Sequence, residues 1–125
     1  MNWLAVAIGG ALGSVTRYGV ALLMPVMAGS RFPWPTFTVN FVGSFLIGVA
    51  YVVIVQKQLI TLEYRLWIIT GFLGGFTTFS SFSLESFLLL QQGEIIQALV
   101  YMLASIICCL IAVSLAVFLT QKFLA

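Results

Sequence analysis

The stretch from Gly71 to Glu85, which reads GFLGGFTTFSSFSLE, places helix-weakening residues in the middle of a long apolar segment. Apolar residues lead into it from Tyr64 and continue beyond it to Leu90, so it falls at the depth of the membrane midplane. Paired glycines followed by paired threonines weaken a helix and free backbone carbonyls to which lipid offers no partner. The sequence therefore predicts a membrane helix broken at mid-membrane, as in proteins that bind ions or substrates there.

The glycines in this stretch also have a simpler interpretation. Gly74 and Gly75 could serve close packing against a neighbouring helix, which is a common use of glycine in membranes. The residues that follow favour a binding site, because Phe76, Phe79 and Phe82 recur every three residues and alternate with threonine and serine. Rings and hydroxyls then lie on adjacent strips of one helix. Such alternation is more typical of a lining than of a packed core.

The composition leaves room only for membrane helices. Of 125 residues, 62% are hydrophobic and 6% are charged, and the mean hydropathy is +1.20. One span takes about 20 residues, so we predict an all-α membrane protein with a single domain, residues 1–125. We place its four spans at about 2–27, 36–56, 66–91 and 95–120. The first lacks the charged start and the cleavage site of a signal peptide, so we expect it to remain as a helix.

The residues needed for most enzyme chemistry are absent from the sequence. The chain has no histidine and no aspartate, and its acids are Glu63, Glu85 and Glu94. No serine–histidine pair and no pair of carboxylates is available, so we do not expect an enzyme. Cys108 and Cys109 are adjacent, which excludes an ordinary disulfide and does not match the spacing of a metal site. We also expect no nucleic-acid partner.

Two predicted spans carry polar or small residues at four-residue spacing, which places them on one face of each helix. These are Thr36, Asn40, Ser44 and Gly48 in the second span, and Tyr101, Ser105 and Cys109 in the fourth. The amide of Asn40 needs a hydrogen-bond partner in lipid, which is either another helix or an anion. The hydroxyl of Ser105 could instead bond back to its own helix. Matching stripes beside a broken helix favour the lining interpretation.

Two charged residues lie within predicted spans, where a charge costs about 2.5–3.5 kcal/mol unless it snorkels or finds a partner. Arg17 either reaches the far interface, anchors a fold contact or draws anions into a vestibule. Glu85 either caps a helix at the interface, bonds a hydroxyl or has a functional role. The residues around Arg17 add one packing prediction, because Gly9 and Gly13 are four apart, as at a close helix crossing.

The first loop and the distribution of basic residues bear on topology. Pro25 and the segment Gly29–Pro35 are predicted to end the first helix. Lys57, Arg65 and Lys122 would then lie on one side of the membrane, and Arg31, with Arg17 near it, on the other. This weak bias permits insertion in either direction and therefore an antiparallel dimer of identical chains. Four short helices are also too few to enclose a polar pathway, which again predicts an oligomer.

Three motifs resemble a known family. GGFTTFSSFSLE at residues 74–85 resembles the signature of the Fluc (CrcB-type) fluoride channels. GGALGSVTRY at residues 9–18 and VNFVGSF at residues 39–45 are similar to the family's first and second helices, so the resemblance spans the whole chain. It implies an antiparallel, dual-topology homodimer that contains two fluoride pathways and a sodium ion at its centre.

The resemblance also implies roles for individual residues. Backbone carbonyls of Gly74 and Thr77 would hold the sodium ion, because hard oxygen ligands suit a hard cation. Phe79 and Phe82 would meet fluoride with their ring edges, which carry the positive part of the aromatic quadrupole. The other fluoride-pathway residues implied are Asn40, Thr78, Ser80, Ser81, Glu85, Arg17, Tyr101, Ser105 and Cys109. Cys109 departs from the family pattern, since a thiol is a weaker donor than a hydroxyl.

The resemblance implies a passive channel that exports fluoride across a bacterial plasma membrane and so relieves fluoride toxicity. Two other functions stay open. A proton-coupled small multidrug exporter relies on an acid early in the chain, whereas the first span here carries Arg17 and the deep acid is Glu85. In a non-transporting membrane scaffold, the polar stripes would serve only as packing contacts.

Overall fold

The protein is described here by a computed structural model that covers residues 1–24 and 31–125. Within these ranges all regular structure is helical and there is no β-strand, which confirms the predicted all-α class. The helices are α1 (Asn2–Leu23), α2 (Trp34–Ala50), α3 (Gly74–Phe76), α4 (Phe79–Gln91) and α5 (Ile95–Phe123). Two π-helical segments complete them, Tyr51–Gln56 directly after α2 and Leu66–Leu73 directly before α3.

Three described helices are long and apolar enough to cross a membrane, namely Asn2–Leu23, Trp34–Gln56 and Ile95–Phe123. Helix α2 begins at Trp34 rather than at the predicted Thr36, because Pro35 suits the first turn of a helix. Helix α5 continues to Phe123, beyond the predicted end at residue 120. Helix α1 ends at Leu23, and the predicted end of the first span at Met27, with Pro25, Gly29 and Ser30 of the predicted loop, lies outside the described residues.

The helix predicted to be broken at residues 71–85 is broken in the structure. Thr77, with φ −88° and ψ 160°, and Thr78, with φ −153° and ψ 118°, are both extended and separate α3 from α4. The extended residues are therefore the two threonines, whereas Gly74 and Gly75 remain helical. Because neither part of this helix is long on its own, it is not among the three long spans.

The break occurs at the threonines because Thr78 starts a new helix. Its Oγ1 accepts a hydrogen bond from the backbone N–H of Ser81 at 3.2 Å, which is the geometry of an N-cap. The cap replaces a bond that a continuous helix would have made. The local sequence feature that ends the first helix is thus the capping residue Thr78. Of the glycines before it, Gly75 serves the close contact with α1.

Small residues bring α1 close to the first half of the broken helix. A methyl group at Gly13 would overlap the carbonyl oxygen of Phe72, and one at Gly75 would lie 2.5 Å from the carbonyl oxygen of Gly10. The absence of side chains at these positions permits backbone-to-backbone contact. The close crossing predicted for α1 is confirmed, and packing accounts for Gly75.

The other contacts place α5 at the centre of the second half of the chain. Both α2 and α4 pack against α5, and α1 packs along the π-helix Leu66–Leu73 and α3. Leu89 of α4 and Ala98 and Tyr101 of α5 form a buried cluster. The break between α3 and α4 consequently lies beside α2, which carries the stripe that contains Asn40.

We expect Gly13→Ala to lower the stability of the protein by about 1–3 kcal/mol, the usual cost of overpacking. The added methyl would overlap the backbone of Phe72, which cannot move without moving its helix. Gly10→Ala is the matched control, because its methyl would lie 3.8 Å from the carbonyl oxygen of Gly71, an ordinary contact. Thermal midpoints of the detergent-solubilised proteins measure the difference. Equal midpoints for the two variants would show that the crossing tolerates a methyl at Gly13.

Candidate functional site

A single side chain from α2 holds the break in place. The Oδ1 atom of Asn40 accepts a hydrogen bond from the backbone N–H of Thr78 at 2.8 Å, and its Nδ2 donates to the carbonyl of Thr78 at 3.0 Å. One amide therefore pairs both backbone groups of an extended residue, which lipid could not do. The interhelical contact that the sequence left open for Asn40 is present, and the same side chain borders the groove described below.

The hydrogen bonds around Thr78 also deprive two backbone carbonyls in the preceding turn of their helical hydrogen-bond donors. In a continuous helix the N–H of Thr78 would donate to the carbonyl of Gly74, and the N–H of Ser81 to that of Thr77. These donors instead bond Oδ1 of Asn40 and Oγ1 of Thr78. The carbonyl oxygens of Gly74 and Thr77 consequently lose their helical donors, and Gly74 is exposed on the surface of the chain. Free carbonyl dipoles of this kind fit a hard cation such as sodium.

An open groove of about 420 Å³ lies between α2, the break and α5. The groove takes in Asn40, Ser44, Thr77, Thr78, Phe79, Phe82, Ser105 and Cys109, together with apolar residues. No charged side chain among the described residues lines it. We call it the phenylalanine groove, because the Phe79 and Phe82 rings lie 5.6 Å apart, inclined at 45°. Phe79 is 77% exposed, so its ring stands at the open side.

The hydroxyl of Ser105 in this groove is buried and has no hydrogen-bond partner among the described residues. A buried hydroxyl without a partner is costly and calls for a ligand or a water molecule. The interpretation in which this serine bonds back to its own helix does not hold for Ser105. It does hold for Thr16, Ser83, Ser86 and Thr120, each of which donates to a carbonyl four residues earlier.

A second groove, of about 520 Å³, lies on the other side of the break. It is lined by charged and polar residues that include Ser14, Arg17, Thr36, Thr78, Ser81 and Glu85, and we call it the arginine groove. Nε of Arg17 donates a hydrogen bond to the carbonyl of Gly75 at 3.1 Å, so Arg17 makes the fold contact that was one of its three interpretations. Glu85 accepts a hydrogen bond from the hydroxyl of Tyr101 at 3.2 Å, so it bonds a hydroxyl.

The residues that the resemblance assigned to the fluoride pathways are thus divided, within one chain, between two grooves. Asn40, Phe79, Phe82, Ser105 and Cys109 border the phenylalanine groove, and Arg17, Ser81 and Glu85 border the arginine groove. Thr78 borders both. The structure therefore brings most of the predicted residues to the break, but not to one continuous cavity of the isolated chain.

Two predicted pathway residues line neither groove. Tyr101 is fully buried, with its ring 5.2 Å from that of Phe82 and its hydroxyl on Glu85. Ser80 is exposed, and its Oγ lies 3.4 Å from Oγ1 of Thr78. Tyr101 therefore connects the two grooves through its contacts, whereas Ser80 lies beside the cap of α4.

Two lining residues were absent from the predicted site although the sequence signal for them was present. Ser44 borders the phenylalanine groove, and Thr36 borders the arginine groove. Both belong to the four-residue stripe of the second span, on the same face as Asn40. Periodicity therefore indicates three of the α2 residues near the break.

Comparison with known proteins agrees with the motifs. Residues 4–117 match the model of the family described as CrcB-like protein, camphor resistance (CrcB). A protein of Hahella chejuensis named fluoride-specific ion channel FluC is 49% identical over 119 residues, which are 95% of this chain and 94% of that protein. A protein of the same name from Saccharophagus degradans is 50% identical over 121 residues, 96% of this chain and 90% of that one.

A third relative from Agrobacterium fabrum, also named fluoride-specific ion channel FluC, is 46% identical over 113 residues, 90% of each chain. These relatives are named as ion channels, which are not enzymes. The resemblance found in the three motifs is therefore confirmed over nearly the whole length. With its long apolar helices, this chain is a multi-pass membrane protein that belongs to the CrcB-like family.

Proposed function

We propose that this protein is a passive, fluoride-selective channel. The names of its relatives indicate the ion. The observation that carries the proposal is the phenylalanine groove, where two aromatic rings, an unpartnered hydroxyl and the amide of Asn40 lie beside the break without any charged side chain among the described residues. Because all of these groups are neutral, they attract a small anion more weakly than a full positive charge would, so the anion is not trapped.

The chemistry of the groove suits fluoride in two ways. Fluoride is strongly hydrated, so a pathway must replace its lost water with hydrogen-bond donors, and Ser105, Thr78 and Asn40 supply them. The positive edges of Phe79 and Phe82 add a weaker attraction, since the ring quadrupole is far smaller than a full charge. Binding that is favourable but weak lets an ion enter and also leave.

The arginine groove would give access to the break from the other side. Arg17 places a positive charge near Thr78 and Ser81, and its hydrogen bond to Gly75 keeps that charge attached to the fold. Tyr101 joins Glu85 in this groove to Phe82 in the other one. In this proposal Ser81, Glu85 and Tyr101 belong to the fluoride pathway, and Ser80 adds a hydroxyl near the cap.

The membrane topology is part of the same proposal. Residues 66–76 and 79–91 together exceed the roughly 20 residues that a helical span needs to cross a hydrocarbon core of about 30 Å. With the three long helices this makes four spans. The open groove, the exposed ring of Phe79 and the exposed Gly74 support an antiparallel, dual-topology homodimer, in which a second copy covers these groups.

A sodium ion would sit at the centre of that dimer, held by the carbonyls of Gly74 and Thr77 from both copies. When bound, it would supply a positive charge that neutralises the carbonyl dipoles at the two breaks. The support for this site is the loss of helical donors at these two carbonyls.

We expect removal of sodium to destabilise the protein. A bound ion stabilises the folded state by about 2.7 kcal/mol when its concentration is a hundredfold above its dissociation constant. Thermal midpoints measured in sodium and in N-methylglucamine solutions check this, with potassium at equal ionic strength as the control. A midpoint that is the same in all three salts would refute the sodium site.

In a cell, the channel would lie in the bacterial inner membrane and relieve fluoride toxicity. Fluoride crosses membranes as the neutral acid and is trapped as the anion at cytoplasmic pH. A passive pathway for the anion lets the membrane potential, negative inside, drive it outward. No coupling to another ion is needed for this export.

The test is fluoride efflux from liposomes that contain the purified protein, measured with a fluoride electrode after a potassium ionophore is added. Chloride efflux is measured in parallel. We expect rapid fluoride loss without chloride loss and without a requirement for a proton gradient. Efflux that depends on a proton gradient would instead favour a coupled exporter that uses Glu85. Absence of efflux from a folded protein would favour the scaffold.

A further inference from the structure

The segment that leads into α2 is fastened to the turn between α4 and α5. Nε of Arg31 lies 3.2 Å from Oε1 of Glu94, and Nη1 of Arg31 donates a hydrogen bond to Oε1 of Gln92 at 3.2 Å. The side chains of this ion pair are 57% and 37% exposed, so it adds little stability. The residue after Arg31 in the chain is Phe32, which packs against the buried cluster of Leu89, Ala98 and Tyr101.

Phe32 packs against the buried residues of the second turn of α5. Its ring meets the ring of Tyr101 edge-on, with centroids 5.3 Å apart and planes at 83°. It also contacts Trp34 at 4.5 Å and Phe37 at 5.5 Å. Tyr101 is fully buried, so Phe32 forms part of the wall that sets the direction of its ring.

Tyr101 in turn contacts both grooves. Its hydroxyl donates to Glu85 at 3.2 Å, and its ring lies 5.2 Å from that of Phe82. Phe82 lies 5.6 Å from Phe79. A continuous series of aromatic rings therefore runs from the segment before α2 to the phenylalanine groove, in the order Phe32, Tyr101, Phe82 and Phe79. A tilt of Tyr101 would change both the contact with Glu85 and the position of Phe82.

We propose that Phe32 is a positioning residue for the fluoride pathway, because its edge-on contact holds Tyr101 at the angle that sets Phe82 and the bond to Glu85. The inference rests on the proposed channel function. Phe32 touches no ion in this proposal and acts only through Tyr101. Its ring is the required feature, since an aliphatic side chain of similar volume has no polarised edge to direct a neighbouring ring.

The test compares Phe32→Leu, which removes the ring, with Phe32→Tyr, which keeps it. Phe41→Leu is the matched control, because the Phe41 ring stacks on that of Phe37, borders neither groove and has no ring contact with Phe32 or Tyr101 in the described residues. We expect Phe32→Leu to lower fluoride efflux about tenfold, the factor obtained if the free energy of a strong aromatic pair, about 1.4 kcal/mol, is lost from the conducting arrangement. Phe32→Tyr and Phe41→Leu should retain the wild-type rate.

A second readout does not depend on conduction. 4-Fluorophenylalanine incorporated at position 82 reports the surroundings of that ring by fluorine NMR in fluoride-free buffer. We expect its resonance to shift or split in Phe32→Leu and to keep the wild-type position in Phe32→Tyr and Phe41→Leu. An unchanged resonance together with unchanged efflux in Phe32→Leu would overturn the inference. If the wild-type protein itself does not conduct, the proposed function fails, and the resonance still decides whether Phe32 sets the position of Phe82.

Discussion

Replacing Phe82 by isoleucine is expected to reduce fluoride efflux to the level of protein-free liposomes. Phe82 borders the phenylalanine groove, with its ring between those of Phe79 at 5.6 Å and Tyr101 at 5.2 Å. Isoleucine is apolar and nearly fills the space, but it has no positive edge to replace water around the anion. The ion would then pass an aliphatic side chain at this position, where partial dehydration is not compensated. Efflux is measured with the fluoride electrode, and gel filtration checks that the protein is intact.

Phe87→Ile is the matched control for this experiment. Phe87 is on the same helix and is 56% exposed, and it borders neither groove. We expect the control to conduct at the wild-type rate. Wild-type efflux in Phe82→Ile would remove Phe82 from the pathway and would leave Phe79 as the ring to test.

Replacing Asn40 by alanine is expected to abolish efflux and to lower stability. The substitution leaves the N–H and the carbonyl of Thr78 without their partners at a depth where lipid offers none. Each unpaired buried group costs about 1–3 kcal/mol. The break would lose its geometry, and the groove would lose one of its donors. Thermal midpoints and liposome efflux are measured on the same preparation.

A second substitution at Asn40 separates conduction from stability. Asn40→Asp keeps an acceptor for the N–H of Thr78, so we expect a smaller loss of stability than in Asn40→Ala. Its negative charge in the groove should still abolish anion efflux. Gln97→Ala serves as the control for loss of an amide, since Gln97 borders neither groove. A fall in stability with wild-type efflux in both Asn40 variants would remove Asn40 from the pathway and leave it only the packing contact with Thr78.

The sequence predicted the broken helix because glycine and paired threonines weaken a helix wherever they occur. It did not predict which residues are extended. That choice depends on Asn40, thirty-eight positions earlier, and on the cap formed by Thr78. Helix propensity describes the local chain and contains no term for a competing side chain from another helix. The glycines consequently seemed to mark the break, whereas Gly75 serves the crossing with α1.

The sequence could predict which face of a helix each site residue occupies, but not which groove that face borders. Four-residue spacing places Asn40 and Ser44 on one side of α2, as the structure has them. Periodicity does not state what that side faces, so the division between two grooves could not be read from it. The contact of Arg31 with Glu94 was equally hidden, because it joins two turns far apart in the sequence. The one indication of this contact in the sequence was that Arg31 and Glu94 carry opposite charges and fall in turns at the same end of the predicted antiparallel helices.

The double hydrogen bond between Asn40 and Thr78 has a consequence for the order of assembly. Until α2 docks, the N–H of Thr78 is free to bond the carbonyl of Gly74 and extend the helix. Docking of α2 removes that donor and leaves the carbonyl available. The Gly74 oxygen proposed as a sodium ligand is therefore freed by tertiary folding, whereas the Thr77 oxygen is freed by the local cap at Thr78. Cation binding and pairing of two copies at the break would then follow the docking of α2, and neither would occur on a misfolded chain.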